Sequence, residues 1–273
     1  MTDGKFWSPG TPDTPFYRAL AMIFSRIIYS SIVIGLVAGM LLTSLQIAGL
    51  KPIIVEAERF ETLVTEMPAG HENSGHSDHA HADDFWAPAQ GLERNAYSFL
   101  ANVLASTGFA AIVLALMSQF QLPRKGNISW GQGSLWGLAG FATLFLAPAI
   151  GLPPEIPGAV SAALEHRQLW WALTVLSVAI GLGIFAFADV RFKALGLLFL
   201  VTPYIVGAPQ IDTPMFQHAD PSVTQVLINL HRQFVIISTV VNLIFWLSLG
   251  LCCRFVFNRW FRGLALSADP DRS

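Results

Sequence analysis

The feature that most constrains this chain is a series of uncharged, apolar runs, each of roughly 20 residues. A helix of about 20 apolar residues crosses a hydrocarbon core about 30 Å thick. Only 12% of the 273 residues are charged, whereas a soluble domain usually carries about 25%. Backbone groups in lipid must bond internally, and these runs lack the alternating pattern of barrel strands. We therefore predict an all-α polytopic integral membrane protein.

The apolar runs predict about six transmembrane helices. They are Ile27–Leu50, Ala96–Leu122, Ser129–Ile150, Gln168–Ala188, Ala194–Gly207 and Gln233–Cys253. The fifth is short and contains Pro203, so we expect Arg191 and Lys193 to reach the interface at one of its ends. A five-span topology with a re-entrant fifth segment is the main alternative.

The basic residues predict the orientation of these spans. Short loops rich in lysine and arginine stay in the cytoplasm. With both termini inside, 11 of the 16 basic residues are cytoplasmic. Residues 1–26 are polar and lack a cleavage site, so they predict a cytoplasmic leader rather than a signal peptide. The remaining divisions are a 27–256 membrane domain, a 51–95 extracytoplasmic loop and a 257–273 cytoplasmic tail.

This orientation places all seven histidines and 13 of the 18 acids on the outer face. The densest segment, HENSGHSDHAHADD, lies between the first two spans and carries four histidines and four carboxylates. Imidazole and carboxylate ligate cobalt, nickel, zinc and copper, and the spacing leaves the choice among these metals open. The alternative is a solvated polar linker. The predicted metal ligands are His71, His76, His79, His81, Asp83 and Asp84.

The ends of the spans indicate three tandem helical hairpins. The even-numbered spans open with a Glu or His, an Arg and an amide residue, at Glu93-Arg94-Asn95, His166-Arg167-Gln168 and His231-Arg232-Gln233. The odd-numbered spans end at a glycine with a proline soon after, at Gly49, Gly151 and Gly207. Glycine and proline are natural helix stops. The alternative is that arginine and amides are simply common at membrane interfaces.

Acids and histidines near these ends are candidates for a metal-conducting mouth. They are Glu56, Glu58, Glu93, Glu155, His166 and His231. Arginine repels a divalent cation, so we expect Arg94, Arg167 and Arg232 to lock helix ends by pairing with acids. The spans carry no ionisable residue at mid-depth, so the relay of a proton-coupled pump is missing. The chain also lacks GxxxxGK[ST], which excludes ATP hydrolysis by a P-loop.

Several outward-facing segments carry a family resemblance. Besides the His-rich loop, they are Gly35–Gly39, Ile54–Glu58, Trp86–Arg94, Leu146–Pro148, Gly151–Gly158, Arg167–Trp171 and Gly207–Gln210. Together they resemble the CbtA family of predicted cobalt transporters over most of the chain. The resemblance implies a cobalt transporter subunit of a bacterial inner membrane, linked to cobalamin supply. It also implies a small partner, CbtB, with a single span and its own histidine motif.

We therefore predict the membrane subunit of a transporter that takes up Co²⁺, or else Ni²⁺ or Zn²⁺, from the periplasm. Its partners are the lipid bilayer and the single-span subunit, and no nucleic acid. A non-transporting metal-binding scaffold or sensor that works through a partner is the alternative. A membrane metalloenzyme would need ligands clustered in helices, which the sequence lacks, so no enzymatic activity is predicted.

Overall fold

Helices make up the regular structure of the described part of the chain, which contains no strand. A computed structural model describes residues 15–66, 91–121, 127–218 and 220–261. The α-helices are α1 (Pro15–Gly49), α2 (Lys51–Glu66), α3 (Leu92–Gln121), α4 (Trp130–Phe141), α5 (Ala147–Gly151), α6 (Leu164–Phe187), α7 (Lys193–Val206) and α8 (Pro221–Val256). A π-helical segment, Ala142–Leu146, joins α4 to α5, and another, Phe257–Phe261, extends α8. A 3₁₀ turn, Val190–Phe192, precedes α7.

Five segments of the described residues are long and apolar enough to cross a membrane. They are Ala21–Gly49, Leu92–Phe120, Trp130–Gly151, Leu164–Phe187 and Pro221–Phe261. The predicted all-α membrane class is thereby confirmed. The predicted fifth span corresponds to α7, whose 14 residues rise about 21 Å at 1.5 Å per residue. That length is short of a hydrocarbon core of about 30 Å. Among the described residues, five of the six predicted spans are therefore full-length, and the predicted fifth is a short helix.

Three helices end at the glycines that the sequence marks as stops. α1 ends at Gly49 and α5 ends at Gly151. Gly207 follows α7 with a φ of 82°, in the left-handed region where a side chain would be strained. The predicted helix starts agree with the structure at α3 and α6, which begin at Leu92 and Leu164.

The last helix begins earlier than predicted. α8 starts at Pro221 and not near Gln233, where the uncharged run begins. Proline suits the first position of a helix because its missing N–H would have no partner there. The preceding Asp220 accepts hydrogen bonds from the backbone N–H and the hydroxyl of Ser222, each at 2.8 Å. These bonds stabilise the carboxylate and lower the pKa of Asp220 below its usual 3.8.

Asp220→Ala is expected to fray the first turn of α8, because it removes the acceptor for the Ser222 N–H. Asp220→Asn keeps an oxygen acceptor and serves as the matched control. In the wild type, the lowered pKa means that the Asp220 carboxylate stabilises the folded state. This contribution is complete above the pKa that Asp220 has in the unfolded chain, and it is lost as the pH falls through the lower pKa of the folded state. Amide hydrogen exchange at Ser222 and Thr224 measures the effect. Equal protection in the Ala and Asn variants would contradict this account of the cap.

The second helix, α2, was not predicted, because it lies within residues 51–95, which were expected to form a loop. Its buried side chains Ile53 and Ala57 are four residues apart and therefore share one face. They pack in a cluster with Ile156, Phe216 and Leu227. The region that was predicted to be a loop therefore begins with an amphipathic helix, which packs against this cluster. The histidine-rich segment that follows lies outside the described residues.

The chain divides into two compact units. The first contains the described residues of Met1–Gly39, Val103–Gly137 and Ser248–Ser273, and the second those of Met40–Asn102 and Leu138–Leu247. Small residues set the packing in the first unit. A Cβ added at Gly35 would lie 2.0 Å from Thr107 Oγ1, and one added at Gly39 would lie 2.7 Å from Val103 Cα. The α1–α3 contact therefore depends on the glycines of the predicted Gly35–Gly39 packing motif.

Candidate functional site

An ion pair joins α2 to the start of α3 within the second unit. Arg94 donates to both carboxylate oxygens of Glu58, at 2.7 and 3.2 Å. The two side chains are 33% and 28% exposed, so the pair is partly shielded from water. Beside it, Lys51 Nζ donates to Asn95 Oδ1 at 3.0 Å. An arginine that donates two hydrogen bonds to one carboxylate fixes the relative orientation of the two side chains as well as pairing their charges. The Glu58 carboxylate is therefore occupied by Arg94.

A second polar contact lies further along α1 and α3. The Asn102 side-chain amide donates to Thr43 Oγ1 at 2.9 Å and to Gln46 Oε1 at 2.7 Å. Amide and hydroxyl side chains commonly join helices in this way within a bilayer. This cluster supplies neutral oxygen atoms but no carboxylate, so it is polar without being charged.

The segment that follows α5 is held by α6. Arg167 Nη2 lies 2.8 Å from Glu155 Oε2, and Nη1 donates to Ser161 Oγ at 3.0 Å. Arg167 stands in the first turn of α6, at one of the predicted entrances. Arg94 and Arg167 therefore pair with acids at helix ends, as the sequence predicted. Arg232, at the third entrance, is exposed.

On α8, His231 contacts the same segment. Its Nε2 lies 3.1 Å from the Pro154 carbonyl oxygen, and its ring meets Phe216 edge-on at 6.1 Å between centroids. A carbonyl oxygen only accepts, so the neutral imidazole carries its hydrogen on Nε2. The lone pair that could bind a metal then lies on Nδ1.

The other candidates at the predicted mouth lie nearer to solvent. Glu56 pairs with Arg59 at 2.9 Å on one face of α2. Glu93 and His166, in the first turns of α3 and α6, are exposed. Within the described ranges, no three side chains of His, Cys, Asp or Glu come together in a group that could hold a metal. The predicted loop ligands, His71, His76, His79, His81, Asp83 and Asp84, lie outside those ranges.

Sequence reasoning missed the contacts that connect the segments between the spans. Ile156 and Phe216 are 3% and 5% exposed, although both stand outside the apolar runs. The Val160 N–H donates to the Met215 carbonyl at 2.8 Å, which ties the two segments together. Large apolar residues within otherwise polar connections were the available signal, because they require burial.

The chain also shows its relationship to known proteins. Residues 24–258 match a family described as "Probable cobalt transporter subunit (CbtA)". The matched region covers most of the 273 residues.

The chain belongs to the CbtA family.

The CbtA match runs from α1 into the π-helical segment after α8, so it takes in the described ion pairs at Glu58 and Glu155 and the contact of His231. The resemblance drawn from the sequence is therefore confirmed. The family description is that of a transporter subunit, which is not an enzyme class. No curated protein and no solved structure matches the chain.

Proposed function

We propose that this CbtA-family chain is the membrane subunit of a transporter that takes up a divalent transition metal, with Co²⁺ favoured over Ni²⁺ and Zn²⁺. The observation that carries the proposal is the family match over 24–258, with its description as a probable cobalt transporter subunit. In the part of the chain that the structure describes, five segments suited to crossing a membrane agree with it. The metal is the cargo in this proposal and not a resident cofactor.

The proposed setting is the inner membrane of a bacterium, with both termini in the cytoplasm. Two termini on the same side require an even number of crossings, so in this arrangement the short helix α7 completes a sixth crossing together with the five long segments. The excess of basic residues in the short loops of that side supports this orientation. In this arrangement, residues 1–26 and 257–273 are cytoplasmic, 27–256 form the membrane domain, and 51–95 face the periplasm. The docked helix α2 forms the first part of that periplasmic region.

We assign metal capture to the loop from His71 to Asp84. Four imidazoles and four carboxylates within fourteen residues support this role. The helix α2, which precedes the loop in the chain, is held in place through Ile53 and Ala57. Because histidine must be neutral to ligate, capture is expected to fade below about pH 6.

The next ligands are assigned among the mouth candidates Glu56, Glu58, Glu93, Glu155, His166 and His231. Glu58 and Glu155 are each paired with an arginine, so a metal would have to compete with a cation for them. Among the described residues, no cation pairs with His231, and in its neutral form Nε2 carries the hydrogen bonded to the Pro154 carbonyl oxygen, which leaves the lone pair on Nδ1. We therefore place His231 first among the mouth ligands, followed by the exposed His166.

The proposed partner is a small, single-span, histidine-containing subunit of the CbtB type. The word "subunit" in the family description supports a multi-chain transporter. The same word also fits the alternative, a non-transporting scaffold or sensor that works through its partner. The pairing of Glu58 and Glu155 with arginines favours that alternative, because it leaves fewer carboxylates at the mouth that can bind a metal without displacing an arginine.

Changing His71, His76, His79 and His81 to alanine is expected to raise the Co²⁺ concentration for half-maximal uptake by about tenfold or more, because losing even the outer-shell partner of a metal ligand typically costs about 10–100-fold in affinity. The maximal rate should stay near that of the wild type, because a capture loop raises local metal concentration without forming the path. The measurement is ⁵⁷Co²⁺ uptake by cells that produce the chain with its single-span partner. Changing Asn73, Ser74 and Ser77 to alanine is the matched control within the same loop.

Unchanged half-saturation in the four-histidine variant would contradict the capture role. A variant of the mouth residue His231 distinguishes a permease from a scaffold. His231→Ala should lower the maximal uptake rate while the chain still binds its partner, if the chain conducts metal. Loss of partner binding with uptake retained through the partner alone would favour the scaffold.

A further inference from the structure

All charged residues in the described part of the first unit are arginines. They are Arg18, Arg26, Arg254 and Arg259, and the same ranges contain no aspartate or glutamate. At least three of them lie at one end of the unit, because Arg26 Nη1 donates to the carbonyl oxygen of Trp260, which follows Arg259 in the π-helical segment after α8. Positive charges without counter-ions in the same unit attract an anion from outside it.

One of these arginines, Arg254, is held in position by its neighbours. Its Nε donates to the Ile128 carbonyl oxygen at 3.0 Å, and its guanidinium carbon lies 3.8 Å from the centroid of the Trp130 ring. Its stem packs on α4, since a Cβ added at Gly133 would lie 2.9 Å from Arg254 Cβ and Cδ. Asn258 donates to the same Ile128 carbonyl at 2.8 Å. This guanidinium is preorganised, so little side-chain entropy is lost when it binds a ligand.

The other two nitrogens of Arg254 form an open edge. Nη1 and Nη2 have no hydrogen-bond acceptor among the described residues, whose fully buried side-chain atoms without a partner are Ser30 Oγ, Ser106 Oγ and Arg167 Nε. The Arg254 Nη atoms are not among these, so they are accessible at the surface. Two neighbouring guanidinium nitrogens match two oxygens of one phosphate or carboxylate. The edge can therefore bind such an anion directly.

This edge lies at the depth of the lipid head groups. The segment Trp130–Gly151 has 22 residues and rises about 33 Å at 1.5 Å per residue, which matches a hydrocarbon core of about 30 Å. Its first residue, Trp130, therefore stands at one boundary of the core, where tryptophan is enriched. Arg254 stacks on that ring and so lies at the same level. In the proposed orientation this is the cytoplasmic side, where anionic lipids attract basic residues.

We propose that the Nη edge of Arg254 binds the phosphate group of an anionic phospholipid in the adjoining leaflet. Phosphate oxygens accept two parallel, charge-assisted hydrogen bonds from one guanidinium. The lack of acids among the described residues of the first unit favours a lipid with a net negative charge over a zwitterionic one. A metal cation is excluded as the occupant, because the arginines repel it. The site is independent of the proposed metal uptake and uses none of its ligands.

Titration of the purified full chain with phosphatidylglycerol, followed by native mass spectrometry, tests the site on the wild type. Phosphatidylcholine with the same acyl chains is the comparison. We expect phosphatidylglycerol to bind at least about fivefold more tightly, which is the scale of one basic residue near an anionic membrane surface. Equal affinity for the two lipids would overturn the proposal.

Two variants separate the contact at Arg254 from the general attraction of positive charge. Arg254→Gln removes the edge, and Arg259→Gln removes the same charge from an exposed arginine at the same end of the unit. We expect Arg254→Gln to weaken phosphatidylglycerol binding by about twentyfold or more, because hydrogen bonds are lost together with the charge. Arg259→Gln should weaken it by about fivefold at most. Equal effects of the two variants, each with the melting temperature of the wild type, would overturn the contact with Arg254.

Two additions to the wild-type titration identify the source of the anion. Excess inorganic phosphate should leave the lipid bound, and its displacement would overturn the lipid and assign the edge to free phosphate. The single-span partner should also leave the lipid bound. Release of the lipid by that partner would overturn the proposal and assign the edge to an acidic side chain of the partner.

Discussion

Gly250→Ala is expected to destabilise the first unit by about 3 kcal/mol or more. A Cβ at this position of α8 would lie 2.5 Å from the Gly133 carbonyl oxygen and 2.6 Å from the Gly137 nitrogen. Both are backbone atoms of α4, so no side chain can rotate away and the two helices would have to separate. Overpacking that side chains can absorb costs about 1–3 kcal/mol, and a backbone clash belongs at the top of that range. The melting temperature should fall by roughly 6–12 °C.

The matched control is Gly108→Ala in α3, which belongs to the same unit. Among the described residues, no atom outside the neighbouring turns of α3 lies within 4 Å of a Cβ added at Gly108. Alanine is favoured over glycine within a helix by about 0.5–1 kcal/mol, so this variant should be as stable as the wild type or slightly more so. Thermal unfolding of the two variants in lipid nanodiscs measures the difference. Equal melting temperatures would contradict the close packing of α8 on α4.

Trp170→Ala is expected to cost about 3–5 kcal/mol, the usual range for removing a large aromatic side chain from a packed interior. Trp170 is 4% exposed, and a Cβ added at Gly151 would lie 2.3 Å from its ring. Its Nε1 donates to the Pro203 carbonyl at 3.2 Å, and its ring meets Tyr204 edge-on at 6.5 Å. The side chain therefore packs the end of α5 and the last turn of α7 against α6. Its loss should increase hydrogen exchange in α7.

Two further variants separate the causes. Trp170→Phe keeps most of the buried ring but loses the hydrogen bond to the Pro203 carbonyl. The loss of that bond should lower the free energy of unfolding by about 1 kcal/mol, in addition to the cost of the smaller side chain. The Pro203 carbonyl keeps a second donor, the Gly207 N–H at 3.0 Å. Trp171→Ala changes the adjacent residue, which is 44% exposed, and should have a much smaller effect on the melting temperature. A Trp171→Ala effect as large as that of Trp170→Ala would show that position 170 has no special role.

The fold class and several helix ends could be predicted because their causes are local. A long uncharged run favours a membrane helix wherever it occurs, and Gly49, Gly151 and Gly207 end helices through their own backbone properties. The helix α2 escaped prediction because its apolar face is narrow and polar residues surround it. Only its contact with Ile156 and Phe216 makes that face an interior one. The early start of α8 was missed because Asp220 and Pro221 precede a polar turn and not an apolar run.

The sequence predicted which types of residue meet at the candidate site, but it did not predict most of the pairs that they form. Glu155 was among the acids expected beside the arginines, and it pairs with Arg167. The partner of Arg94 is Glu58, which is 36 residues away in sequence. This pairing depends on how α2 docks, which the residues near Arg94 do not encode. The orientation of His231 depends in the same way on a backbone carbonyl of a distant segment.

Uptake of Co²⁺ into proteoliposomes that contain the chain and its single-span partner tests the central claim most directly. The account predicts saturable, time-dependent accumulation of Co²⁺ inside the vesicles, with little in vesicles that contain the partner alone. His231→Ala in the folded chain should lower the rate, and Arg232→Ala at the exposed neighbouring residue should not. No accumulation of Co²⁺, Ni²⁺ or Zn²⁺ above the partner-only vesicles, with the chain folded and inserted, would contradict it.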